Sequence, residues 1–161
     1  KPKHTSVKVI EVESAEEMFK ACVEVFEKSD IAVMSAAVAD YSPKEKSSTK
    51  IKKSEGEMNI ELTKTKDILA ALGKSKNKQV LVGFALETEN GIEYAKEKLK
   101  SKNLDLIIVN TTSAENPAFG SDFNTISIID MHNNLVNFEF KSKDEIAKDI
   151  VQAVKTFVRK K

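Results

Sequence analysis

Cysteine, tryptophan and glycine are scarce in this sequence. Among its 161 residues Cys22 is the only cysteine, tryptophan is absent, and glycine occurs five times. A single cysteine excludes an intrachain disulfide and a metal site built from cysteines, and it is typical of a protein of the reducing cytoplasm. The few glycines, with no G-x-G-x-x-G among them, disfavour a generic dinucleotide-binding domain.

Long apolar runs and an excess of charge of one sign are missing too. No apolar segment approaches the roughly 18 residues that a membrane-spanning helix needs. The 26 basic and 25 acidic side chains give a net charge of +1, which argues against a general nucleic-acid binder. With 40% hydrophobic and 32% charged residues, we expect one globular domain over residues 1–161, with neither a membrane nor a nucleic-acid partner.

Apolar patterns predict alternating strands and helices. Alternation favours half-buried strands at 7–12 and 58–63, and three nearly continuous apolar runs predict central strands at 31–38, 80–86 and 104–110. Helical spacing and capping boxes predict helices after Ser14 and from Ser142. Further helices are predicted at 66–74, with Gly73 at its end, and at 90–103, with Asn90 as its cap. Two apolar segments around "MHNN" predict a hairpin.

This order of elements predicts an α/β fold with a mostly parallel sheet and helices on both faces. Residues 42–57 are rich in Ser, Lys and Glu without periodicity, which is typical of a mobile loop. Ligands of such sheets bind beyond the carboxyl ends of the strands. Asp40, Glu87 and Asn110 each fall at or just past such an end, so the pattern predicts a binding site at that edge.

Each candidate site residue has a plain structural alternative on the residues alone. Asp40 suits a ligand contact or a turn cap. The lysine-rich stretch around Lys50 could neutralise a polyphosphate or form a solvated loop. Lys98 and Lys102 share one helix face, as an anion site or an exposed lysine-rich helix requires. Phe84 could stack on a base or belong to the core.

Four ordered blocks resemble one enzyme family. "AAVADY", "KIKK", "VGFALET" and "KSKNLDLIIVN" follow one another as in bacterial phosphopantothenoylcysteine synthetase, the ligase of coenzyme A biosynthesis that is often fused behind a flavin-dependent decarboxylase. The resemblance runs from about residue 7 to the C-terminus. It implies a Rossmann-like three-layer fold with a C-terminal hairpin and a mobile lysine-rich lid at 42–57, in a cytoplasmic homodimer.

The resemblance also implies a reaction, which joins 4′-phosphopantothenate to cysteine. The carboxylate attacks the α-phosphate of CTP to give an acyl-cytidylate and pyrophosphate, and the cysteine amine then displaces CMP. Lysines and Mg²⁺ assist such a transfer by position and charge. Bacterial members with "AAVADY" use CTP, so the resemblance favours CTP over ATP.

Roles follow residue by residue from the resemblance. It implies that Lys50 is the catalytic flap lysine, which acts in converting the acyl-cytidylate and contacts the nucleotide. It implies that Phe84 packs at the base and that Lys98 and Lys102 lie on the phosphate side. The other implied nucleotide contacts are Met34, Ser35, Ala36, Asp40, Lys66, Asp67, Ile68 and Leu69. On the residues alone, no cluster of His, Cys and carboxylate side chains indicates a zinc site, and we assign no metal-binding side chain.

Two departures from the family accompany the resemblance. Thr65 and Lys66 stand where the family usually has Asn-Pro. The family's first β-α-β unit, roughly fifty residues with a Gly-rich turn and a functional asparagine, has no match in this sequence. We therefore expect an N-terminally incomplete ligase domain, with a truncated, non-catalytic nucleotide-binding or dimerisation module as the alternative.

Overall fold

A computed structural model describes residues 4–52, 57–87, 91–111 and 120–160, without the side chains of residues 87, 111 and 160. The helices in this part of the chain are α1 Ala15–Phe26, α2 Ile68–Ser75, α3 Gly91–Ser101 and α4 Lys143–Lys160. The strands are β1 Ile31–Met34, β2 Tyr41–Pro43, β3 Leu62–Lys64, β4 Val80–Glu87, β5 Leu106–Thr111, β6 Phe123–Asp130, β7 Leu135–Asn137 and β8 Lys141–Ser142. None of these helices is long and apolar enough to cross a membrane.

The main sheet has a parallel and an antiparallel part. Its strand order is β1-β4-β5-β6-β7, and β8 pairs with β6. Strands β1, β4 and β5 are parallel, whereas β6 runs antiparallel to β5 and forms a hairpin with β7. The predicted α/β fold and the predicted hairpin are confirmed.

Each face of the sheet carries its own hydrophobic cluster. The first cluster lies under α1, α2 and α3 and includes Leu81 and Ile107. The second lies under α4 and includes Val82 and Ile108. The alternation arises because successive side chains of a strand point to opposite faces. Helices therefore cover both faces, as the sequence predicts.

Local signals set the helix ends. Ser14 Oγ accepts a hydrogen bond from the N–H of Glu17 at 3.2 Å, while Glu17 Oε2 accepts from the N–H of Ser14 at 3.3 Å. Ser142 and Glu145 exchange the same pair of bonds at the start of α4. Both capping boxes are confirmed, and each satisfies amide groups that a helix leaves without an internal partner.

Two strand predictions are wrong. Residues 7–12 form no strand, although they alternate as one, and Val9 is 58% exposed. The apolar run 31–38 forms a strand only to Met34, and Val33 is 47% exposed. An extended segment becomes a strand by pairing, and among the described residues β1 pairs with β4 alone and 7–12 pairs with nothing.

The loop predicted at 42–57 contains part of a two-stranded ribbon. Strands β2 and β3 pair antiparallel, with Tyr41 opposite Lys64 and Pro43 opposite Leu62. The strand predicted at 58–63 thus begins only at Leu62. Residues 53–56 lie outside the described part of the chain, as does the predicted cap Asn90, and the mobility of the lid stays a prediction.

Gly73 does not end its helix, contrary to the sequence prediction. Helix α2 continues to Ser75, and a Cβ atom built at position 73 would overlap the carbonyl oxygen of Lys102. A left-handed residue follows α3 rather than α2. It is Asn103, with φ 51°, two positions after the last helical residue Ser101. Glycine at 73 therefore serves a close approach between two elements, which helical spacing alone does not reveal.

Candidate functional site

A cavity of about 180 Å³ opens beside the carboxyl ends of β1 and β4, on the face covered by α1, α2 and α3. All nucleotide contacts implied by the resemblance line it except Ser35 and Lys50. The lining comes from segments far apart in the sequence, since Asp67 is 33 positions after Met34 and Lys98 is 31 positions after Asp67. The fold therefore brings most of the implied residues into one place.

Asp67 and Lys102 form an ion pair at the cavity. Asp67 caps α2, because its Oδ1 accepts from the N–H of Ala70 at 2.9 Å. Its Oδ2 lies 2.7 Å from the ammonium nitrogen of Lys102. Burial alone would raise the pKa of Asp67, but the bonds from Lys102 and Ala70 outweigh it and lower the pKa. Asp67 is therefore a carboxylate at neutral pH.

Lys98 brings a second ammonium group to the cavity by a different contact. Its Nζ donates to the carbonyl oxygen of Phe84 at 2.9 Å. Phe84 lines the cavity, but it also packs against the second hydrophobic cluster, like Val82 on the same strand face. The core alternative for Phe84 is thus part of its role, and packing against a base stays a prediction.

Thr65 joins the two segments that form the rim. Its Oγ1 donates to the carbonyl oxygen of Ala39 at 2.6 Å, and its N–H donates to the carbonyl oxygen of Asp40 at 2.9 Å. Sequence reasoning missed Thr65, and it missed Met18 of α1, which also lines the cavity. Met18 is half-buried and also packs against the first hydrophobic cluster, and helical spacing alone does not indicate what such a residue faces.

Lys66 is held by α1. Its ammonium lies 2.9 Å from Glu16 Oε1 and 4.7 Å from the centre of the Phe19 ring. The hydrogen bond from Lys66 is the main reason why the pKa of Glu16 is lowered. Lys66 and Glu16 are both partly exposed, so the pair contributes little to stability, but it directs the ammonium toward α1.

The remaining residues predicted for the site are not seen to line the cavity. Lys50 and Ser35 are exposed and are not among the described residues that line the cavity. Asn110 does not join Asp40 there, because its Oδ1 accepts from Asn124 Nδ2 at 3.1 Å on the β5–β6 pair. The parallel register places Asn110 beside Leu86 at the carboxyl edge of the sheet. The side chain of Glu87 lies outside the described residues, so the grouping of the three polar side chains stays a prediction.

The described residues contain no preformed cluster of metal-binding side chains. No group of three or more His, Cys, Asp or Glu side chains among them is placed to hold a metal ion. Of the carboxylates, Asp40 and Asp67 line the cavity, and Asp67 already binds Lys102. Positive charge in this cavity comes from lysines.

Comparisons with known proteins identify the family of this chain. A family model for the DNA/pantothenate metabolism flavoprotein C-terminal domain matches residues 1–158. A prokaryotic cysteine/cysteine sulfinic acid decarboxylase of unknown organism is 49% identical over 98% of this chain and 44% of its own length. Coenzyme A biosynthesis bifunctional protein CoaBC of Bacillus subtilis (strain 168) is 41% identical over 90% of this chain and 36% of its own length. The chain spans less than half of these relatives.

Solved structures of the same family have a similar fold. The C-terminal domain of a coenzyme A biosynthesis bifunctional protein CoaBC has a TM-score of 0.76 and 32% identity, over 94% of this chain and 66% of that one. The DNA/pantothenate metabolism flavoprotein from Streptococcus pneumoniae has a TM-score of 0.77 over 97% of this chain and 76% of that one; at 20% identity it supports the fold alone. The resemblance seen in the sequence is confirmed, and the chain belongs to the family of DNA/pantothenate metabolism flavoprotein C-terminal domains.

Proposed function

We propose that the protein carrying this chain is a phosphopantothenate–cysteine ligase of coenzyme A biosynthesis, and that the cavity binds CTP. The family match and the relatives named CoaBC support the pathway. The observation that carries the proposal is the meeting of two lysines, Lys98 and Lys102, with the start of α2 at the carboxyl ends of two parallel strands.

The start of α2 suits a phosphate group. The first amide groups of a helix have no intrahelical acceptor and carry partial positive charge, so they favour anions. Ile68 and Leu69, which line the cavity, are in that first turn. Lys98 and Lys102 bring two ammonium groups to the same cavity, the second of them paired with Asp67, and bonds from an ammonium to a phosphate are the stronger, charge-assisted kind. Met34, Ala36 and Asp40 then face the sugar and base.

The proposed reaction needs charge neutralisation more than covalent help. A carboxylate oxygen of 4′-phosphopantothenate bonds to the α-phosphorus of CTP while the bond to pyrophosphate breaks. The cysteine amine then bonds to the acyl carbon, loses a proton, and CMP leaves. Lys98 and Lys102 stabilise the charge that gathers on the phosphates in the first step. Lys50 acts in the second, after the loop that carries it approaches the cavity.

In this proposal Mg²⁺ binds together with the nucleotide, because no group of three or more His, Cys, Asp or Glu side chains among the described residues is placed to hold a metal ion by itself. Magnesium commonly binds through substrate phosphates and waters. We also propose a homodimer and a fused decarboxylase domain, as in the family. The decarboxylase named among the relatives is more than twice as long as the segment that matches it, and we assign that activity to the unmatched part.

Calorimetric titration with CTP and with ATP, both with Mg²⁺, tests the nucleotide site. We expect saturable binding of CTP in preference to ATP. Lys102→Ala should weaken CTP binding about tenfold, because a charge-assisted contact is lost. Lys100→Ala is the matched control, since Lys100 is exposed and does not line the cavity. If the parent chain binds no CTP, or if the two variants weaken it equally, the assignment of the cavity is wrong.

The alternative, a non-catalytic nucleotide-binding or dimerisation module, is favoured by one observation. The edge of β1 and the apolar side chains of 7–12 are exposed among the described residues. Product formation from 4′-phosphopantothenate, cysteine and CTP distinguishes the two functions. In an active protein, Lys50→Ala should still bind CTP but arrest product formation; unchanged turnover would remove Lys50 from the mechanism.

A further inference from the structure

The end of α3 rests directly on α2. Asn103 Nδ2 donates to the carbonyl oxygen of Gly73 at 2.9 Å. At the same place the backbone of Lys102 comes so close to Gly73 that a Cβ atom there would overlap its carbonyl oxygen. The two segments thus meet backbone to backbone, a contact that we name the α2–α3 clasp, formed by Gly73, Lys102 and Asn103.

The geometry of Asn103 fixes the direction of the chain at the clasp. Its φ of 51° is left-handed. Its N–H donates to the carbonyl oxygen of Lys100 at 3.2 Å, and the N–H of Leu104 donates to that of Leu99 at 2.9 Å. This pair of bonds is the Schellman ending of a helix, in which Asn replaces the more common glycine. Asn103 therefore ends α3 and binds α2 at once.

Lys102 therefore contacts α2 at two points, one through its backbone and one through its side chain. Its carbonyl lies against Gly73, and its ammonium binds Asp67 at the other end of the same helix. Positions 67 and 73 are six apart, or about 9 Å along a helix. The side chain of Lys102 is only 24% exposed, so it lies along α2 rather than in solvent.

We propose that Gly73 and Asn103 are positioning residues, and that the α2–α3 clasp fixes where the Lys102 ammonium stands in the cavity. The effect is specific to one lysine, because Lys98 reaches the cavity through the carbonyl of Phe84. A shift of about 1 Å in a phosphate-binding group is enough to weaken its action strongly. The consequence for CTP rests on the proposed function, whereas the placement of the ammonium beside Asp67 does not.

Asn103→Gly tests the α2–α3 clasp with little change to the backbone. Glycine adopts the left-handed conformation readily, so α3 keeps its ending and only the bond from Nδ2 to Gly73 is removed. Asn133→Gly is the matched control, since Asn133 is also left-handed, at φ 65°, in the turn between β6 and β7. Both variants add the same backbone freedom to the unfolded chain. Gly73→Ala is less useful, because its clash could prevent folding.

Two measurements are compared between the variants. Carboxyl NMR titration should give a higher pKa for Asp67 in Asn103→Gly than in the parent, because the ammonium that lowers it has moved. Calorimetry should give about fivefold to tenfold weaker CTP binding, as expected for one impaired charge-assisted contact. Asn133→Gly should leave both values as in the parent.

Each outcome decides the proposal. If the pKa of Asp67 in Asn103→Gly equals that in the control, the clasp does not position Lys102 and the proposal is wrong. If the pKa rises while CTP binds as tightly as before, the clasp has no part in nucleotide binding and is only structural. If even the parent binds no CTP, the proposed function fails, and the pKa comparison alone then decides whether the clasp sets the ammonium.

Discussion

Strand β5 lies between β4 and β6, whereas among the described residues β1 pairs only with β4. The two come from similarly apolar sequence, "LDLIIVN" and "IAVMSAAV". Yet Ile107 of β5 is 0% exposed and Ile31 of β1 is 40% exposed. Burial in this chain is therefore decided by the neighbours that a strand finds, and an apolar run is necessary for a central strand but not sufficient. The candidate site lies at the carboxyl ends of the edge strand β1 and its neighbour β4.

The largest effect is expected where the central region holds a buried charge. Asp105 is 1% exposed, and its Oδ2 accepts from Lys76 Nζ and from the N–H of Leu81, both at 2.8 Å. Asp105→Asn leaves the Lys76 ammonium, whose side chain is 8% exposed, without its counter-charge. The free energy of unfolding, measured with denaturant, should fall by about 3–5 kcal/mol.

Glu93→Gln provides the exposed counterpart. Glu93 pairs with Lys96 at 2.8 Å on the surface of α3, and an exposed pair contributes at most about 0.5 kcal/mol. If Asp105→Asn and Glu93→Gln lowered the free energy of unfolding equally, the contrast between the centre and the surface would be wrong.

An intermediate effect is expected from the matched isoleucines. Ile107→Ala removes a fully buried side chain at the centre and should cost about 2–5 kcal/mol of unfolding free energy. Ile31→Ala removes the same atoms at the edge and should cost less than about 1 kcal/mol, because part of that surface already meets water. If both cost the same in denaturant unfolding, β1 is buried in the protein in solution and the comparison fails.

The smallest effect is expected at the site, as a dependence on pH. The pKa of Asp67 is lower in the folded chain than its ordinary value. Its contribution is therefore present above about pH 4 and is lost as the pH falls through the folded pKa. Asp67→Asn keeps an N-cap residue but removes the charge, so its unfolding free energy should fall less steeply below that pH than the parent's.

Unfolding at a series of acidic pH values checks this expectation. Other carboxylates with lowered pKa, such as Glu17 and Asp130, titrate in both proteins, so the difference between the curves isolates Asp67. The side chain of Asp67 is 49% exposed, which keeps the difference small through solvent screening. Parallel curves would mean that Lys102 does not stabilise the carboxylate.

Features that depend on neighbours in the sequence could be predicted from it. The capping boxes Ser14–Glu17 and Ser142–Glu145 need only a spacing of three, and both are present. Residues 7–12 and the edge position of β1 could not be predicted, because alternation and apolarity describe one segment, whereas a strand needs a partner elsewhere. The predicted role of Gly73 as a helix end was wrong for the same reason. Glycine is needed there because the backbone of Lys102, a residue distant in the sequence, comes too close for a side chain.

Most residues for which the ordered motifs imply a nucleotide contact line the cavity, and their contacts with a nucleotide stay predictions. The ion-pair partners of these residues could not be predicted. Asp67 with Lys102 and Lys66 with Glu16 are ion pairs between distant positions, and no local pattern indicates which lysine meets which acid. Thr65 shows the limit of a motif, because a departure from the family sequence turns out to hold Ala39 and Asp40 at the rim.

The single cysteine of this chain makes it a convenient object for labelling. Cys22 is half-buried against the first hydrophobic cluster, and burial raises the pKa of its thiol, so little of the reactive thiolate forms at neutral pH. The ribbon β2–β3 adjoins the cavity rim at Asp40 and Thr65. A cysteine introduced at the exposed position 45 would therefore take a fluorescent dye first, and it would report on the ribbon without any need to remove the native thiol.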